Sequence, residues 1–173
     1  ASGKEVCLTA GEHLYASTFY ESGQPITLMI TPVTSIAHAL TLYKVRQGEN
    51  VQNAITESNT TIASLFGVDI LNVFPRNVTD NTGGQFFNIN EELKYGFLTA
   101  GLSSLSASAS VSTSASAAPN EAHKNGLTTI ALIQLLFDEV SVDGQLDGKG
   151  KIGGLSTQLS FGALTLNANV LRN

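Results

Sequence analysis

The sequence predicts an α+β protein with a mainly helical core: about four helices around one buried apolar helix, with short antiparallel β segments at both ends. Three observations carry that expectation. Apolar residues alternate over the first thirty positions, then recur every three or four from Thr31-Pro32-Val33 onward, and Leu127 to Val140 is apolar nearly all round. Alternation marks extended chain, whereas a spacing of three to four marks one helix face. Residues 1–31 are therefore expected as a small β segment packed on a core. Residues 32–173 are expected as a helical module with a C-terminal β-hairpin, the whole forming one compact domain.

At the amino end, Val6 and Leu8 alternate, as do His13, Tyr15, Ser17 and Phe19. Glu21-Ser22-Gly23-Gln24-Pro25 supplies a turn, after which Ile26, Leu28 and Ile30 share a face, which predicts a small antiparallel meander. Helix one starts at Thr31, where a Thr cap and a Pro at the first helical position suit a helix amino end. Val33, Ile36, Ala37 and Leu40 form its face, and Lys44, Arg46 and Gly48 its cationic end and stop. Helix two runs from an Asn50 cap to Gly67, with Val51, Ile55, Ser58, Ile62, Leu65 and Phe66 on one side. Gln52, Asn53, Glu57 and Asn59 form its polar side. A third helix follows Asn90, with Glu91 and Glu92 at its positive end and Leu98, Leu102, Leu105 and Ala109 as its stripe. Gly96 and Gly101 lower its intrinsic stability by ~1 kcal/mol each and are read as sites of close helix contact.

Residues 103–118 carry Ser at every second position from Ser104 to Ser116. A flexible linker or frayed helix end, a closely packed Ser/Ala helix and an alternating edge strand all fit that tract. Leu127 to Val140 is too short for a bilayer, which needs ~20 apolar residues, so it is assigned to the centre of the core. Leu155, Thr157, Leu159 and Phe161 alternate, and so do Leu164, Leu166, Ala168 and Val170, which predicts the closing hairpin. The last of these stretches also suits a helix.

Composition narrows the function classes. Of 173 residues, 42% are hydrophobic and 13% charged, and the net charge is −5. That hydrophobic share supports a core. The low charge, with abundant Ser, Thr, Asn and Gly, points to an extracellular or cell-surface protein. Nucleic-acid binding is excluded because the nine basic residues are scattered rather than clustered. Cys7 is the only cysteine, so no internal disulfide forms. A lipid-attachment residue, an intermolecular bridge and a buried small hydrophobe remain open for it, with Val6 and Leu8 favouring burial.

The order of pieces resembles a helical module that follows immunoglobulin-like or carboxypeptidase-regulatory-like domains in large bacterial secreted and cell-surface, adhesin-like proteins. The matching stretches are Ile30 to Ala37, Ala63 to Gly67, Pro75 to Thr79, Tyr95 to Ser106 and Asp143 to Gly150, each short, within roughly residues 25–171. The resemblance implies a structural or adhesive part and carries over no catalytic residue. The Ser-rich tract departs from it. The chain also stops near where such a module often continues, so the closing element would come from a larger protein or a neighbour.

For chemistry, Asp143, Gln145 and Asp147 place oxygens at alternate positions, followed by Gly148 at position six of a calcium-loop pattern. Gly154 stands where that pattern has its bidentate Glu, and Asp138 and Glu139 are available to complete a site. A plain polar turn is the competing reading. His13, His38 and His123 lack the spacing of a zinc site. No Gly-x-Ser-x-Gly elbow or phosphate loop is present. Asn59-Thr60-Thr61 and Asn77-Val78-Thr79 match glycosylation sequons and are read as chance.

The expected function is a non-enzymatic structural or adhesive module, or an assembly subunit, of a bacterial extracellular or cell-surface protein. The expected partners are proteins, including self-association by strand pairing at an open edge. A ligand-binding domain for calcium or carbohydrate is the alternative, with calcium the only cofactor suggested.

Overall fold

The computed structural model describes residues 8, 11–78, 90–108, 110–113, 128–147, 149–152 and 155–160. Four helices form its body: α1 (Pro32–Arg46), α2 (Val51–Phe66), α3 (Glu91–Ser108) and α4 (Thr129–Asp143). Helix α1 packs on α2 and α4, and α3 packs on α4. The α+β expectation is corrected: the body is all-helical, and no strand lies within it among the described residues. Three short segments, β1 (Ser110–Thr113), β2 (Lys149–Ile152) and β3 (Leu155–Ser160), form an antiparallel ladder ordered β1-β3-β2.

The largest difference falls at the amino end. Residues 12–20 form neither strand nor helix. They run as a strap across the helices, with Leu14 packed against the core. A period of two reports an extended backbone with two unlike faces, and it is silent about what the backbone bonds to. Cys7, the far arm of the predicted closing hairpin (164–170) and the later part of the Ser-rich tract lie outside the described residues. Of that tract, the part up to Ser108 is helical and Ser110–Thr113 is extended.

Local chemistry sets the helix ends. Thr31 caps α1 in a reciprocal box with Thr34, and Pro32 takes the first helical position. Asn50 accepts from the Gln52 and Asn53 amides, and Gly67 closes α2 in the left-handed region at φ 67°. Asn90 Oδ1 accepts from Leu93 N at 2.9 Å, and Thr128 caps α4.

The middle of the molecule belongs to α1 rather than to the apolar helix expected there. Val33, Ile36, Ala37, Ala39 and Leu40 are buried, together with Thr34, Ser35 and Thr41. Small side chains let several neighbours approach α1 closely. Helix α4 buries Leu132, Ile133, Leu136 and Val140 on one face, leaves Leu135 and Phe137 partly covered and exposes Val142. Around these pack Ile62, Val68, Ile70, Tyr95, Leu98 and Leu102. Gly96 does permit a close approach, but its neighbour is the 75–78 connection: an added Cβ would lie 2.1 Å from Arg76 O. At Gly101 nothing lies within 4 Å of such a Cβ. No helix among the described residues is long and apolar enough to cross a membrane.

Candidate functional site

Three buried polar side chains sit together at the amino end of α1, while Thr41, Ser58, Asn59, Ser106, Glu139 and Ser141 are buried elsewhere in the body. Thr31, Thr34 and Ser35 are each at most 4% exposed. Neutral groups that far from water need partners, because an unmade hydrogen bond costs about 1–3 kcal/mol. They find them in the strap. Ser35 Oγ accepts from Tyr15 N at 2.8 Å, and Thr34 Oγ1 donates to Tyr15 O at 2.9 Å. Two residues on, Asn59 Nδ2 of α2 donates to Ser17 O at 3.0 Å. Helix side chains thus take the place of a neighbouring strand for Tyr15 and Ser17, the alternate residues a sheet edge would bond.

Thr31 connects this clasp to α3. Its Oγ1 shares a 2.5 Å hydrogen bond with the hydroxyl of fully buried Tyr95. Burial raises the Tyr95 pKa, the Thr31 hydrogen bond opposes the rise, and the charge of Asp69 adds to it. The Asp69 carboxyl is itself pushed up by burial. Hydrogen bonds from the Asn72 side chain and the Asn72 and Leu71 amides outweigh that push and leave it below its ordinary value.

Side chains of the strap enter the same site. The Tyr15 ring stacks on His38 of α1 at 5.3 Å and lies 5.0 Å from Phe137 of α4, with His13 beyond at 6.1 Å. Ser17 Oγ and His38 Nδ1 share a 2.5 Å hydrogen bond, and burial lowers the His38 pKa. A Ser–His contact is one element of a nucleophile, which also requires a group that orients the base and donors for the developing oxyanion. Here His38 is flanked by the rings of Tyr15 and Phe137, and its bond to Ser17 ties the strap to α1.

Asn59 corrects a sequence expectation. It sits at the boundary of the buried face of α2, at 8% exposure, instead of on the polar side. Its amide nitrogen is engaged with Ser17, so the Asn59 sequon is closed to glycosylation in the folded chain. The second sequon ends at Thr79, outside the described residues. Asn59 also borders a shallow cleft of about 440 Å³ lined by Ser64, Asp69, Ile70, Leu71 and Glu91 among others.

The predicted metal residues lie at the end of α4. Asp143 is its last residue, and Gly144 follows in the left-handed region at φ 75°, packed on the Tyr43 ring. Asp143 Oδ1 accepts from Gln145 N at 2.9 Å, and Asp147 N donates to Glu139 Oε1 at 2.6 Å. Arg46 Nη1 donates to Ser141 O at 2.8 Å, which brings a cation beside this turn. Asp143, Gln145 and Asp147 are exposed, and Glu139 is buried beneath them. Among the described residues, no group of three or more His, Cys, Asp or Glu side chains is placed to hold a metal ion.

The clasp was only half legible in the sequence. Thr31-Pro32 announced a helix start, but nothing in the chain order links Thr34 and Ser35 to Tyr15 or Thr31 to Tyr95. One signal was available: hydroxyl residues at the second and third positions after Pro32, on a helix whose other face is apolar. No known protein family, curated protein or solved structure matches the chain.

Proposed function

We propose that this chain is a non-enzymatic structural module of a bacterial extracellular or cell-surface protein, acting as a part that joins or assembles with others. The observation that carries the reading is the clasp. Buried polar side chains at the head of α1 and on α2 hold the backbone of the segment that precedes α1. That use suits a module that must fix the direction in which the chain enters it. The sparse charge and the Ser-, Thr- and Asn-rich composition support an extracellular setting. Electron microscopy of the purified full chain tests the reading, with analytical ultracentrifugation alongside. Ordered oligomers or filaments are the expected result, and a strictly monomeric chain across the accessible concentration range contradicts an assembly role.

The alternative is calcium binding at Asp143, Gln145 and Asp147, favoured by the placement of the Glu139 carboxylate against the same turn. Calcium prefers six to eight oxygens in a flexible loop. Calorimetry with calcium on the wild-type chain and on Asp143→Ala and Asp147→Ala separates the two readings. A heat of binding lost in both variants supports the metal, and a flat titration of the wild type removes it.

A further inference from the structure

The strap and its seat are chemically separable, and the seat has the features of a peptide-binding groove. Main-chain hydrogen bonds at alternate residues, with pockets for the side chains between, are how extended peptides are recognised at sheet edges. Here three helices supply the equivalent: Thr34 and Ser35 from α1, Asn59 from α2 and the Phe137 ring from α4. The segment between the strap and α1, residues 18–30, exposes Phe19, Tyr20, Ile26 and Ile30. Those residues belong to the alternating pattern that favours strand pairing, and the turn they flank is closed by Gln24 N to Glu21 O at 3.1 Å. A hinge of this kind has apolar surface to bury only once it is straightened against another hinge.

We infer that the groove between α1, α2 and α4 accepts residues 13–17 of a second copy of this chain, so that copies associate by exchanging straps while their opened hinges pair. The exchange rests on the assembly reading above and names its contact. Every hydrogen bond of the closed chain is remade across the interface, so the exchanged form loses little beyond the entropy of association. The gain comes from the hinge residues, which are exposed in the closed form. Closed and exchanged forms compete through the effective concentration of the tethered strap, typically millimolar for a short linker. Weakening the strap in one copy therefore opens its groove to another strap.

Fluorescence anisotropy tests this with a labelled peptide of residues 11–20 and the full chain. The Tyr15→Ala chain, whose own strap has lost its ring anchor, is expected to bind the peptide saturably. The wild-type chain is expected to bind about tenfold or more weakly, because its tethered strap competes. Adding Asn59→Ala to the Tyr15→Ala chain is expected to reduce binding again, while helical circular dichroism verifies that each variant is folded. Absence of saturable binding to the folded Tyr15→Ala chain overturns the exchange, and so does binding that ignores Asn59. If the wild-type chain assembles yet these tests fail, the contact is wrong and the assembly reading stands. If the peptide binds and the wild-type chain stays monomeric, the groove stands and the assembly role falls.

Discussion

The two ends of α1 hold their surroundings by opposite means. At the amino end, neutral hydroxyls of Thr31, Thr34 and Ser35 are buried and bond to the strap and to Tyr95. At the carboxyl end, Lys44 pairs with exposed Glu57 and, at 3.5 Å, with half-buried Glu49. The Glu57 hydrogen bond raises the Lys44 pKa above its ordinary value despite some desolvation, and the same bond lowers that of Glu57. Full charges give the stronger forces in a vacuum, yet water and salt screen the exposed pair. The buried hydroxyls have no such competitor. The difference teaches that burial, more than formal charge, decides which end is indispensable.

Substitutions sharpen that contrast in descending order of effect. Tyr95→Ala removes a fully buried ring together with the Thr31 partner, and it should lower stability by about 3–5 kcal/mol in urea denaturation. Thr31→Val keeps the side-chain volume but removes the cap and the hydrogen bond to Tyr95, and about 1–2 kcal/mol should be lost. A loss under a few tenths for Thr31→Val would mean that the clasp contributes nothing beyond packing.

His38 adds a pH dependence on the clasp side. Burial favours its neutral ring, so below the ordinary imidazole value of 6.5 the unfolded chain binds a proton before the folded chain does. Stability from this group is therefore intact above that value and falls as pH drops through the lowered folded pKa. The melting temperature should decrease between about pH 7.5 and pH 5.5, and less so in His38→Gln, which cannot titrate. Equal slopes in the two proteins would remove His38 as the cause. At the other end, Glu57→Gln should leave the melting temperature unchanged within error at moderate salt. A clear drop there would reverse the ranking of the two ends.

The same contrast explains which parts of the molecule were legible in the chain. Helix ends depend on neighbours a few residues away, so Thr31-Pro32, Asn50, Gly67 and Asn90 could be read directly. The long-range bonds of those same residues could not. Alternation over His13, Tyr15, Ser17 and Phe19 signalled extended chain, and the usual partner of extended chain is another strand. Here the partner is a row of helix side chains, which leaves no mark at the spacing of two. Asn59 was assigned to the polar side of α2 by its type, and the strap that covers it comes from 42 residues away. The near-continuous apolar run of α4 outweighed the small residues of α1, although close packing from several sides requires the latter. For the site, Asp143, Gln145 and Asp147 were legible as a polar turn, while the placement of Glu139 beneath it required the folded chain.

Native-state hydrogen exchange at the Tyr15 amide tests most directly whether helix side chains hold the strap. In the wild-type chain that amide, bonded to Ser35 Oγ, should exchange far more slowly than an open peptide, and Ser35→Ala should accelerate it by about tenfold or more while amides within α1 and α2 keep their protection. Tyr15 protection unchanged in Ser35→Ala, or absent from the wild type, would contradict the account.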